Sequence, residues 1–152
     1  MLLFRLTRRK YTDDLSGAGA RLNGGRWNSI GTPVVYLASS KSLAVLEVLV
    51  HLPFELIPED FYMVTYDVPD DKILEIEEEK LPDNWKDISH QNSTKSIGDA
   101  FIKDSKYFLC KVPSIIVNDE YNYLLNPNHA LIKKVELVKI DHFLFDSRLR
   151  GA

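Results

Sequence analysis

Gly17-Ala18-Gly19-Ala20-Arg21-Leu22-Asn23-Gly24-Gly25-Arg26-Trp27-Asn28, followed by Val34-Val35-Tyr36-Leu37 and Leu43-Ala44-Val45-Leu46-Glu47-Val48-Leu49-Val50, is the stretch around which the chain is organised. It combines a glycine-dense loop, a strand and an apolar helix carrying one acid. Five of the seven glycines of the chain fall at Gly17, Gly19, Gly24, Gly25 and Gly31. Glycine permits positive φ and close backbone approach to a ligand, and long loops inside compact domains tend to be functional. Gly17-Ala18-Gly19 lacks the third glycine of a dinucleotide fingerprint, and no Walker lysine pattern is present.

Glu47 is out of place by composition. At about 100° per residue it shares a helix side with Leu43 and Val50, and a helix apolar on nearly all sides is buried on most of them. A carboxylate there loses solvation unless a cation, a metal or hydrogen-bond donors compensate. It can equally sit at the edge of the stripe or be paired for structure. The loop before it, with Arg26 and its free backbone groups, favours a functional role. Ser39 or Ser40 is placed to cap the helix, and Pro53 follows its end.

With 152 residues, the chain has the length of one domain with a real core. Its formal net charge of -3 argues against a broad footprint for nucleic acid or an anionic membrane. The basic residues Arg5, Arg8, Arg9, Lys10, Arg21 and Arg26 cluster instead near one end of the sequence, which suits a single anionic pocket. A lone cysteine, Cys110, excludes an internal disulfide and a multi-cysteine zinc site. His51 lies one turn after Glu47, but His90, His129 and His142 complete no ligand motif, so no metal is expected. Arg5 interrupts the apolar opening before it reaches signal-peptide length, and no apolar run is long enough to span a membrane. A cytoplasmic location is the expectation.

Around the organising stretch, Leu2–Leu6 reads as a strand with Arg5 flanked by apolar residues, a basic side chain that can be aimed into a pocket. Tyr62–Val68 alternates as a strand with one face better buried, and Ile73–Ile76 is a further short strand. The segment from Leu81 to Asn92 reads as connecting structure with Trp85 as a packing anchor. An amphipathic helix is expected over Ser93–Lys106, with Ile97, Phe101 and either Ala100 or Ile102 as its apolar stripe and Gly98 as a weak spot. Phe108–Val112 and Ile115–Val117 read as strands separated by Pro113-Ser114. Ser114 sits at that bend, as a turn residue or with its hydroxyl directed inward. Asn118–Leu125 leads into the turn cluster Asn126-Pro127-Asn128-His129, and Val135–Ile140 and Phe143–Phe145 read as two final strands.

Taken together, Gly17-Ala18-Gly19-Ala20, Gly24-Gly25-Arg26-Trp27-Asn28, Gly31-Thr32-Pro33-Val34-Val35-Tyr36, Leu43–Glu47, Val112-Pro113-Ser114, Asn122–His129 and Phe145–Leu149 resemble, in order, the blocks of RES-domain toxins, the toxic half of Xre–RES type II toxin–antitoxin pairs. The resemblance implies one RES domain over residues 1–152. It also implies an α+β, ADP-ribosyltransferase-like fold, a split mixed β-sheet with surrounding helices. The Arg, Glu and Ser of the family's name correspond to Arg26, Glu47 and Ser114, implied to be catalytic. Arg5, Tyr36, Trp27, Asn28 and Asn126 are the implied substrate-binding residues.

The implied activity is cleavage of the nicotinamide–ribose bond of NAD⁺, by hydrolysis or phosphorolysis, with NAD⁺ as substrate and no cofactor. The implied protein partner is a cognate Xre-type antitoxin. ADP-ribosylation of a specific protein is the rival within the enzyme class. A non-catalytic partner-binding module, with Arg26 and Glu47 as a buried structural ion pair, is the rival outside it.

Overall fold

The computed structural model describes residues 1–52, 59–87 and 92–150. Pro53, His90 and part of the connecting stretch before residue 92 lie outside them. The fold is α+β: a mixed sheet of seven strands with helices against it. Along the chain run β1 (Leu2–Arg8), α1 (Ala18–Asn23), β2 (Val35–Ala38), α2 (Lys41–Leu49), β3 (Phe61–Asp67), β4 (Ile73–Glu75), α3 (Asn92–Asp104), β5 (Leu109–Pro113), β6 (Tyr121–Leu125) and β7 (Glu136–Phe143). The order across the sheet is β4-β5-β6-β2-β1-β3-β7.

β1 and β3 pair antiparallel along their whole length, from Leu2 opposite Asp67 to Arg8 opposite Phe61. β7 extends that half on the far side of β3, and a register shift between Thr65 and Tyr66 leaves Val138 unopposed. The other half, β4-β5-β6-β2, contains the parallel pair β4–β5. Phe4 opposite Ala38 is the single paired position joining the halves, so the sheet is close to divided at that line.

Strand alternation sorts the core into two faces. On one lie Leu3, Val35, Leu37, Val64, Tyr66, Leu109 and Leu125. The opposite face carries two clusters. Leu6, Ala38, Phe61 and Met63 pack with Leu43 and Ala44 of α2, while Val34, Cys110, Val112 and Leu124 pack with Trp27, Trp85 and with Phe101 and Ile102 of α3. α2 and α3 therefore cover the same side. Between their clusters stand Tyr36 and Asn122, since Tyr36 pairs with Leu124 and Ala38 with Asn122.

Four sequence expectations need correction. Residues 18–23 of the glycine loop form a helical turn and a half, not irregular chain. Tyr121–Leu125 is a central strand hydrogen-bonded on both sides. Ile115–Val117 is not a strand: the Ser114 hydroxyl accepts from the Ile116 and Val117 N–H groups at 3.1 and 3.2 Å, so a side chain takes the bonds a ladder would use. The last two strands are one, Glu136–Phe143. Among the described residues no helix is long and apolar enough to cross a membrane.

Candidate active site on the α2 side of the sheet

Gly25 and Asn28 bridge across a two-residue turn whose tip is Arg26 and Trp27. A Cβ on Gly25 would stand 2.6 Å from the Tyr36 hydroxyl and 2.8 Å from Asn28 Oδ1, so only glycine allows this closure. Asn28 is fully buried, and its amide nitrogen donates to the carbonyls of Ala20 (2.8 Å), Ser29 (3.2 Å) and Thr32 (3.0 Å). The Tyr36 hydroxyl accepts from the Trp27 N–H at 3.1 Å and donates to Asn28 Oδ1 at 2.7 Å. Burial pushes the Tyr36 phenol well above its usual range, more than the Trp27 N–H lowers it.

α3 forms the backing of this turn. Thr94 donates its hydroxyl to the Arg26 carbonyl at 2.7 Å, and Asp99 accepts from the Ser29 N–H at 2.9 Å. Burial works to raise the Asp99 pKa, but the hydrogen bonds from Ser29 and Thr32, with the charge of Lys95, hold it below the usual carboxylate range. The Trp27 ring is buried against Trp85, with centroids 6.3 Å apart. The Arg26 guanidinium, half-buried, donates to the carbonyls of Trp85 (2.8 Å) and Asp87 (3.4 Å). Burial lowers its pKa, while Glu47 and Tyr36 pull it the other way.

Glu47 comes to the same place from α2. The helix starts where sequence places it, Ser40 accepting from the Leu43 N–H at 3.1 Å. The Ser40 hydroxyl also donates to Glu120 at 3.0 Å, tying the helix start to the approach to β6. Glu47 is half-buried. Its Oε1 accepts from Asn122 Nδ2 and, at 3.5 Å, from the hydroxyl of the buried Ser114. Glu47, Ser114 and Asn122 thus form one hydrogen-bonded group, with Arg26 and Tyr36 within electrostatic reach of its carboxylate.

The remaining candidates divide. Trp27 and Asn28 are spent on shaping the turn, their side chains buried beneath Arg26. Arg5 is not brought to this group. It opposes Val64 and so shares the face of Leu3 and Tyr66, where its guanidinium donates to the Asp14 carbonyl at 2.8 Å. Asn126 also lies apart, about 13 Å beyond Asn122 at 3.3 Å per strand residue; it is buried, bonded to the Ile102 carbonyl, Ser105 and the Asn128 N–H. Sequence reasoning missed Asn122. Reading Tyr121–Leu125 as a strand would have set it on the face of buried Leu124, two residues on. Among the described residues no three His, Cys, Asp or Glu side chains gather as metal ligands.

The model of the RES domain matches residues 2–146. This chain belongs to the RES-domain family. The RES domain described here is 42% identical over 151 residues to "Toxin Res" of Photorhabdus laumondii, covering 98% of this chain and 97% of that one. It is 39% identical over 140 residues to the "Prs ADP-ribosylating toxin" of Sphingobium sp., covering 90% and 87%. Among solved structures, the M. tuberculosis MbcT–MbcA toxin–antitoxin complex contains a chain that superposes with a TM-score of 0.76 over 93% of this RES domain and 83% of that chain, at 21% identity. That likeness shows the fold.

Proposed function

We propose that this RES domain is the toxin of a toxin–antitoxin pair and an enzyme that destroys NAD⁺ by breaking its nicotinamide–ribose bond. The observation that carries the reading is the pairing, in one place, of a carboxylate anchored at one oxygen with a guanidinium within electrostatic reach. A nicotinamide leaving group is already cationic and takes the bonding electron pair onto its ring nitrogen, so it needs no strong general acid. Positive charge spreads over the ribose as the bond lengthens, by analogy with glycoside cleavage. A fixed carboxylate stabilises that charge without reorganising. Water or phosphate then forms the new bond to the ribose carbon, giving ADP-ribose or its 1″-phosphate and releasing a proton. Glu47 is the stabilising carboxylate, Arg26 a partner for the dinucleotide phosphates, and Ser114 a holder of Glu47.

Ser114 is not assigned as a nucleophile: among the described residues no His is placed to activate it, and its hydroxyl is spent on Glu47 and on the Ile116 and Val117 N–H groups. The module reading is disfavoured: the Arg26 guanidinium makes its hydrogen bonds to the Trp85 and Asp87 carbonyls, not to Glu47. The names of the relatives, and the toxin–antitoxin complex containing the structural neighbour, support a toxin held in check by a protein antitoxin; the Xre type of that antitoxin is what the family resemblance implies. A second reading, ADP-ribosylation of a protein, is favoured by the name of the Sphingobium relative. The test is NAD⁺ concentration against time with purified protein, with and without phosphate. Free ADP-ribose or its phosphate supports the first reading. A labelled protein band in extract given labelled NAD⁺ supports the second, and unchanged NAD⁺ in both assays overturns the enzyme.

A further inference from the structure

Both donors on Glu47 converge on the same oxygen. Asn122 Nδ2 and Ser114 Oγ reach Oε1, and among the described residues none donates to Oε2. The geometry points to Asn122 as a positioning residue that fixes Glu47 through Oε1 and so presents Oε2 to the reacting ribose; this rests on the NAD⁺-cleaving reading above.

The donor directions follow from valence. A hydroxyl has one hydrogen and two acceptor positions. Ser114 accepts from the Ile116 and Val117 N–H groups, so its hydrogen is left for Glu47. A carboxylate only accepts, which puts the amide nitrogen of Asn122 on its side.

The two donors differ in their support. Ser114 stands at a bend, at 3.5 Å from the carboxylate. Asn122 stands in the middle of the sheet, its backbone registered against Ala38 on one side and Val112 on the other. Glu47 itself is carried by α2, whose start is tied by Ser40 to Glu120, two residues before Asn122. The same short segment therefore holds the helix and the tip of the side chain it presents. A glutamate has three side-chain torsions, and anchoring one carboxylate oxygen from a neighbouring strand restricts the other to a narrow set of positions. Oε2 keeps its full accepting capacity for a ribose hydroxyl.

The role is read by separating kcat from KM. In Asn122→Ala, NAD⁺ still meets Arg26 and the turn, so KM stays within about twofold of wild type. Glu47 loses its fixed aim, and kcat falls by about ten- to a hundredfold, the cost of displacing a catalytic group by an ångström or less. The nearly isosteric Asn122→Asp keeps the shape but sets a second carboxylate against Glu47; its kcat falls at least as far. Circular dichroism confirms that each variant is folded under the assay conditions. If either variant, folded, retains wild-type kcat, the positioning role is overturned. A parallel rise in KM with kcat unchanged overturns it too, because Asn122 would then serve binding. Wild-type protein that leaves NAD⁺ intact overturns the reaction itself, and the inference with it; active wild type with active Asn122 variants overturns the inference alone.

Discussion

Gly98 in α3 and the Trp27 carbonyl are in such close contact that a Cβ on the glycine would lie 1.7 Å from the oxygen. A glycine in a helix interior normally costs about 0.5–1 kcal/mol relative to alanine, so Gly98→Ala would ordinarily stabilise. Here the methyl must displace the backbone at the tip of the turn that carries Arg26. Such overpacking costs roughly 1–3 kcal/mol. The expected outcome is a lower melting temperature together with reduced NAD⁺ turnover, from a residue whose own atoms face the loop backbone. Thermal melts and the NAD⁺ assay check both.

Replacing the carboxylate tests the chemistry directly. Glu47→Gln keeps the size and one accepting oxygen but removes the charge and turns the other oxygen into a donor. Loss of one preorganised electrostatic group costs about 10²–10³ in kcat, with an unchanged melting curve as the control. Arg26→Lys is expected to raise KM for NAD⁺, since a lysine ammonium cannot reproduce a guanidinium fork. Steady-state kinetics on purified variants measures each.

Tyr36→Phe removes one hydroxyl and disturbs two partners. The Trp27 N–H loses its acceptor and Asn28 Oδ1 its donor. Leaving such a buried group unpaired costs roughly 1–3 kcal/mol, and urea denaturation is expected to show a loss of that size. The turn bearing Arg26 loosens with it, so kcat/KM for NAD⁺ declines as well.

Cys110 gives a pH-dependent prediction. Burial pushes its thiol up to about 12, against an ordinary value of about 8.5. Between those values the folded state holds a proton that the unfolded state has released. This contribution to stability is complete below about pH 8.5 and is lost progressively as pH rises toward the folded value. At pH 8 the native thiol is expected to resist a thiol-reactive dye that labels it at once in urea. Labelling of the native protein at the denatured rate would contradict the burial.

Much of this was legible in the sequence, for physical reasons. The acid in an apolar helix, the capping Ser40, the strand over Tyr62–Val68 and the amphipathic 93–106 segment each carry a local signal that the structure retains, although the strand is buried on both faces, Met63 and Thr65 as well as Val64 and Tyr66, and not on one. Gly98, expected as a weak spot, is instead where α3 meets the Trp27 carbonyl. Tyr121–Leu125 is hidden because two tyrosines around one asparagine, just before a turn cluster, resemble a loop until strands on both sides supply their hydrogen bonds. Asn122 was hidden with it. Arg5 stands out by its apolar flanks in a strand, and Asn126 by the family resemblance. Sheet face decided Arg5, and position along β6 decided Asn126, neither of which periodicity in a single segment can supply.

The seam at Phe4 and Ala38 is spanned by α2, which packs on β1 and β2 through Leu43 and Ala44. The helix is therefore a splint across the narrowest joint of the sheet, and Glu47 is mounted on the splint. Any change that slackens this joint shifts Glu47 as well, so at Leu43 and Ala44 robustness and turnover are one property and cannot be tuned separately.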